Sequence, residues 1–209
     1  MDLREKVAVI TGGRRIGASV AVELARRGAH VSLSYRTSSD AAAAAAKEVE
    51  RCGRSAFITQ ADLSDPAACE GLIESTVKKL GGVQVVVNMA SSYLPTAFDE
   101  LTENHLTEAL QVDLTGAYVC SLAAVPHMRR AGGGHIVNFS DWTAASGRPR
   151  YEGFLPYYVA KTAVIGLTEA MALELASDSI LVNAIAPGPI RPPASMDSDE
   201  VAAVSKATP

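Results

Sequence analysis

The stretch VAVITGGRRIGASVAVELARRG, residues 7–28, decides the fold. It opens with a nearly continuous apolar run, Val7–Thr11, rather than an alternating one. A strand that reads this way is covered on both faces. The run enters Thr11-Gly12-Gly13-Arg14-Arg15-Ile16-Gly17, and a helix is predicted from about Ala18 to Arg27, closed by Gly28. Strand, glycine loop and helix in that order put backbone N–H groups and a helix N-terminus where a pyrophosphate can sit. A tight turn with glycines kept for packing looks the same in isolation. The place of the loop, on the first strand of a βαβ unit, favours the nucleotide.

Working outward, the same alternation repeats. Further strands are predicted at Val31–Tyr35, Ala56–Gln60, Val83–Asn88, His135–Phe139 and Leu181–Ala186. Between them lie helices with start and stop signals: Ser39-Asp40 to Gly53, Ser64-Asp65-Pro66 to Gly81-Gly82, Thr102 to about Arg130, and about Pro156 to Ala176. Such alternation gives parallel βαβ units in one α/β sheet, doubly wound, with helices on both faces. No linker or charge block divides the chain, so a single Rossmann-type domain over residues 1–209 is expected. The alanine run Ala41–Ala46 reads as a strong helix former. The helix after Pro156 is apolar almost all round, which predicts burial on more than one side and a helix–helix subunit contact, hence a homo-oligomer, dimer or tetramer.

Composition narrows the function. The chain has 209 residues, 48% hydrophobic and 20% charged, enough for one sizeable core. Nineteen Lys and Arg against 23 Asp and Glu leave a net charge of −4 with no basic tract, so no nucleic-acid partner is expected. No apolar run approaches a membrane span, and the N-terminus lacks the pattern of a signal peptide. Cys52, Cys69 and Cys120 are odd in number and far apart, which suits a reduced cytoplasmic chain. His105, His127 and His135 stand apart from acids at ligand spacing, so no metal site is expected.

Two places carry chemistry. The second strand ends in Ser34-Tyr35-Arg36-Thr37-Ser38-Ser39, with no acid before Asp40. An acid there would bond a free ribose 2′-hydroxyl. Arg36, with Arg14 or Arg15 from the glycine loop and hydroxyls from Thr37 to Ser39, suits a 2′-phosphate instead, which points to NADP(H) over NAD. A solvated loop with scattered arginines is the alternative. Second, Tyr157 and Lys161 lie four apart on one helix face. An ammonium near a phenol lowers its pKa and fits it to exchange a proton with a carbonyl oxygen while a nicotinamide exchanges hydride.

With these residues in view the chain resembles the classical short-chain dehydrogenase/reductases. The resemblance rests on TGGRRIG at 11–17, Asp62-Leu63, Asn88-Met89-Ala90-Ser91, HIVNFS at 135–140, Tyr157-x-x-x-Lys161 and Asn183-Ala-Ile-Ala-Pro187-Gly188-Pro189-Ile190. Arg15 in the loop, Tyr93 after the Asn-Met-Ala-Ser run, and Ser140-Asp141-Trp142 make it look most like the pteridine reductase-like branch. The resemblance implies that Tyr157 gives the proton, that Lys161 holds the nicotinamide ribose, and that Gly12, Arg14, Arg15, Ile16, Gly17 and Tyr35 to Ser38 bind cofactor. It further implies that Asp62 and Leu63 flank adenine, that Asn88, Ala90 and Ser91 line the cleft, and that Pro187, Gly188 and Ile190 meet the nicotinamide.

Four departures from the family pattern stand out. The loop is one residue shorter than T-G-x-x-x-G-x-G, which would distort the phosphate cradle. Asp141 holds the usual catalytic serine position, with Ser140 beside it as an alternative hydroxyl. Asp113 stands where the family has a proton-relay asparagine. The chain stops at Pro209, where the family continues with a helix and an edge strand. The expected function is NADPH-dependent reduction of a small carbonyl or pterin-like substrate. The alternatives are a ketoreductase of acyl-carrier-linked or small ketones and a non-catalytic nucleotide sensor.

Overall fold

The computed structural model describes residues 1–149, 151–190, 197–199, 202 and 205. Six strands, β1 (Val7–Thr11), β2 (His30–Tyr35), β3 (Ala56–Gln60), β4 (Val85–Asn88), β5 (Gly134–Phe139) and β6 (Ile180–Ile185), form one parallel sheet in the order β3-β2-β1-β4-β5-β6. The helices are α1 (Ile16–Arg26), α2 (Ser39–Arg51), α3 (Pro66–Leu80), α4 (Glu103–Ala109), α5 (Gly116–Arg130), α6 (Trp142–Ala145) and α7 (Leu155–Leu175). This is the doubly wound Rossmann-type arrangement. Strand order reverses between β1 and β4, where Thr11 lies opposite Asn88. A crevice opens beyond the carboxyl ends of the strands at such a point.

Alternate residues of each central strand serve two cores. Ala8, Ile10, Val31, Leu33, Val85 and Val87 pack against Ala21 and Ala25 of α1 and Ala45 and Val49 of α2. Val9, Val86, Ile136 and Val182 face the other way, against Leu72 and Ile73 of α3, Cys120 and Met128 of α5, and Met171 and Leu175 of α7. Small residues on α1 and α2 let those helices lie close to the sheet. Full burial of a side chain such as Leu72 or Ile73 contributes about 1.5–3 kcal/mol. The α3 ends follow their signals: Asp65 accepts the Ala67 N–H at 2.9 Å, Pro66 takes the first turn, and Gly81 closes the helix at φ 88°.

Two expectations need correction. The Thr102–Arg130 region is one continuous helical body, but its middle, Leu110–Thr115, is a π-turn. It is long and apolar enough to cross a membrane by length and composition alone. Here it packs on α3 and the sheet, burying Cys120, Ala124, Val125 and Met128. Within the subunit, α7 is buried along the stripe Pro156, Ala160, Lys161, Val164, Thr168, Met171 and Leu175. Its other side carries exposed Leu155, Val159 and Leu173, and the neighbouring edge strand β6 exposes Leu181 and Ile185.

Candidate active site

The glycine loop leaves β1 at the crevice. The Gly12 N–H reaches Ser34 Oγ at 3.3 Å and the Gly13 N–H donates to Ser34 O at 2.9 Å, so the short loop folds back onto β2. Arg15 takes φ 49°, ψ −108° to start α1, whose N-terminus no side chain caps. A Cβ on Gly17 would stand 1.9 Å from the Gly12 carbonyl oxygen, so only glycine fits beneath the turn. Thr11 Oγ1 accepts the N–H groups of Met89 and Ala90 at 2.9 and 3.1 Å, which pins β1 to the end of β4.

A cleft of about 220 Å³ opens over this junction. Its walls include Gly12, Arg14, Tyr35, Arg36, Thr37, Ser38, Asp62, Leu63, Ala90 and Ser91, ten of the residues expected to bind cofactor, together with Gly13, Ser92 and Val112. The Arg14 guanidinium lies 3.4 Å from Ser38 Oγ, so loop and β2 end converge on one point. The Ser64 hydroxyl and N–H hold the Asp62 carboxyl below its ordinary value, and the nearby Arg36 charge adds to this. The donor set of two guanidiniums and two hydroxyls fits an anionic group on the ribose.

Beyond the cleft stand the titratable groups. Lys161 Nζ donates to the Phe139 carbonyl at 2.8 Å and lies 2.8 Å from Asp113 Oδ1. The two side chains are 4% and 0% exposed, so this ion pair is inside the protein. Asp113 also accepts from Ser91 Oγ at 2.5 Å and from the Ser92 N–H at 2.8 Å. Its place on the π-turn carries it inward. Tyr157 Oη donates to Asp141 Oδ2 at 3.0 Å. Asp141 caps α6, taking the Thr143 N–H at 2.8 Å and the Thr143 hydroxyl at 2.6 Å on its other oxygen. Around Tyr157, Tyr93 stacks on Phe154 at 4.4 Å and meets Tyr157 edge-on at 4.8 Å. Asp141, Thr143, Tyr151 and Tyr158 complete this small aromatic pocket.

The expected electrostatics are reversed. Burial, then the Asp141 carboxylate and its hydrogen bond, then Asp113, push the Tyr157 phenol above its ordinary value. Lys161 lies 5.7 Å from the ring centre, but its charge is taken up by Asp113. A tyrosine so placed keeps its proton.

Other expected residues are placed elsewhere. Ser140 is buried, and its hydroxyl donates to the Lys161 carbonyl at 2.8 Å, so it ties β5 to α7 rather than facing the pocket. Asn88 is a strut, its Nδ2 bonded to Ala117 O, Ser121 Oγ and Asn138 Oδ1. Arg15, Ile16, Gly17, Pro187, Gly188 and Ile190 lie outside the walls of both cavities, and the Pro187 carbonyl accepts the Trp142 N–H at 3.2 Å. Thr143 and Ser92 line the two cavities and were not singled out by the motifs. The Asp141-x-Thr143 spacing is a helix-capping signal that could have marked the first.

The chain matches the short chain dehydrogenase family over residues 6–202. It is 37% identical over 190 residues to a Rhizobium meliloti protein named "Probable galactose dehydrogenase", covering 90% of this chain and 73% of that one. A 3-oxoacyl-acyl-carrier-protein reductase of Staphylococcus aureus is 35% identical over 184 residues, with 88% and 74% covered. Among solved structures, a short chain dehydrogenase from Burkholderia cenocepacia in complex with NADP superposes with a TM-score of 0.88 at 32% identity, over 97% of this chain and 82% of that one.

Proposed function

The chain belongs to the short-chain dehydrogenase family, and from that premise we propose that it is an NADP(H)-dependent reductase of a carbonyl or pterin-like substrate. Tyr157 is its proton donor. The observation that carries this reading is Tyr157 in the wall of the aromatic pocket, its Oη bonded to Asp141, on a phenol whose surroundings keep it protonated. When bound, the nicotinamide supplies a hydride to the substrate carbon. Tyr157 gives its proton to the substrate oxygen, Asp141 orients Oη, and Lys161 holds the ribose. Arg14, Arg36, Thr37 and Ser38 receive the 2′-phosphate, Asp62 and Leu63 flank the adenine, and Pro187, Gly188 and Ile190 close on the nicotinamide side.

An ionised carboxylate accepts and cannot donate. Asp141 therefore favours a substrate that offers N–H or O–H groups, and the ring of aromatic side chains favours a flat one. That supports the pteridine reductase-like branch. The printed name of the Staphylococcus aureus relative supports a second reading, a ketoreductase of acyl-carrier-linked substrates. The array of half-buried Tyr157 and Asp141 beside the buried Lys161–Asp113 pair argues against a non-catalytic sensor. We place the enzyme in the cytoplasm as a homo-oligomer.

The test is NADPH fluorescence on binding, then NADPH oxidation with a panel of pterins, small ketones and 3-oxoacyl thioesters. The Tyr157→Phe variant is expected to bind NADPH and lose turnover by about 100-fold or more. Arg36→Asp is expected to weaken NADPH binding by about tenfold or more, with little change for NADH. Binding without turnover on any substrate would support the sensor instead. Equal affinity of the unaltered chain for NADPH and NADH would remove the NADP assignment.

A further inference from the structure

The array around Tyr157 contains two carboxylates and one ammonium. Asp141 touches the phenol directly. Asp113 does not touch it; its oxygens take Lys161 Nζ, the Ser91 hydroxyl and the Ser92 N–H. An ammonium paired with a carboxylate inside the protein offers a neighbouring phenol little net positive charge, because the two fields largely cancel at a third point. Two of the three Lys161 protons are already directed, one at Asp113 and one at the Phe139 carbonyl. The charged and titratable groups facing Tyr157 are Asp141 at the start of α6, Asp113 on the π-turn, Tyr93 from the segment after β4, and Lys161 from α7 itself. Their formal sum is negative.

We propose that Asp113 is a positioning residue that sets the working direction of the site: by neutralising Lys161 it keeps Tyr157 a proton-bearing phenol, ready for carbonyl reduction and unready for alcohol oxidation. This rests on the reading of Tyr157 as the proton donor. In reduction the substrate carbon gains a hydride, the carbonyl π pair moves to oxygen, and the Tyr157 proton closes the new O–H bond. The phenolate left behind is reprotonated from water. In oxidation the same phenolate must exist before the step, to take the alcohol proton as hydride leaves. The equilibrium constant between substrate and product is untouched, since it belongs to the reactants. What Asp113 changes is the fraction of enzyme holding the proton state each direction needs.

The second consequence is local. With asparagine at residue 113 the ammonium would be uncompensated 5.7 Å from the phenol ring, and phenolate would form more readily. Asparagine keeps an oxygen for Lys161 and for Ser91 and loses the acceptor of the Ser92 N–H.

The experiment is a phenolate titration by near-ultraviolet absorbance on the cofactor-free chain, as a difference against Tyr157→Phe, repeated in Asp113→Asn. The unaltered chain is expected to show no Tyr157 step up to about pH 10, the ordinary tyrosine value. Asp113→Asn is expected to bring the step down by about one unit or more, a tenfold rise in phenolate at fixed pH. The pH profile for alcohol oxidation should shift to lower pH by the same amount, and the high-pH fall of carbonyl reduction should shift with it. A Tyr157 step below about pH 10 in the unaltered chain overturns the proposal without any variant other than the reference. So does an Asp113→Asn profile identical to that of the unaltered chain. The titration needs no substrate, so it stands apart from the functional reading: Tyr157→Phe with full turnover would remove Tyr157 as proton donor whatever the titration showed.

Discussion

At the scale of single residues, Ser140 and Asp141 are neighbours with opposite fates. Asp141 caps a helix with one oxygen and receives Tyr157 on the other. Ser140 spends its hydroxyl on the Lys161 backbone. Ser140→Ala is therefore expected to cost about 1 kcal/mol of stability, visible in a thermal melt, with turnover nearly unchanged. Asp141→Ser should lose donor-bearing substrates and gain simple ketones, read as a change in the ratio of kcat/KM values across the panel. A collapse of turnover on every substrate in Ser140→Ala would reverse this assignment. Motif spacing brought Tyr157, Asp141, Lys161 and Asp113 to one neighbourhood, as the structure has them, but not Ser140 or Asn88 to a cavity wall. It did not show the sign of the Tyr157 shift. That sign follows from burial and from Asp141, with Asp113 adding to it, and these surroundings of Tyr157 exist only in the fold.

At the scale of elements, strands and helices were legible almost throughout. Apolar β-branched runs and glycine stops state them locally, so boundaries moved only slightly: β4 begins at Val85 rather than Val83, and α1 at Ile16 rather than Ala18. The π-turn was not legible, because one inserted residue in a helix leaves no compositional mark. Yet it is the π-turn that carries Asp113. The short glycine loop behaves differently again. Its seven residues, Thr11 to Gly17, turn this tightly because Gly17 lets the Gly12 carbonyl approach closely. Gly17→Ala is expected to force the loop off the helix, costing about 1–3 kcal/mol and weakening NADPH binding. Calorimetry and fluorescence titration would check both, and an unperturbed variant would mean the loop has room that the 1.9 Å approach denies.

At the scale of the whole molecule, the surface is uneven. Leu173, 80% exposed, heads an apolar outer side of α7 that continues through Val159 and Leu155, next to Leu181 and Ile185 on β6. The apolar composition of α7 was plain in the sequence, and the one-sidedness of its burial was not, since amphipathic pattern cannot reveal which half of an all-apolar helix meets its own sheet. If that side is a subunit contact, Leu173→Glu should lower the sedimentation coefficient of the oligomer while leaving the melt of the subunit nearly unchanged. An oligomer of undiminished size would place the contact on another face.

The β1–β4 pairing that makes the crevice has a consequence for how the chain is born. Ala8 pairs with Val85, and Val7 takes Gln84 Oε1 across 77 positions. By contrast β1, β2 and β3 pair in turn with near neighbours. During synthesis the first three strands can assemble soon after they leave the ribosome, but one edge of β1 stays bare until β4 has followed them out. Thr11 has nothing to clasp before Met89 and Ala90 arrive. That interval, with a bare apolar strand edge, is when the growing chain most needs a chaperone.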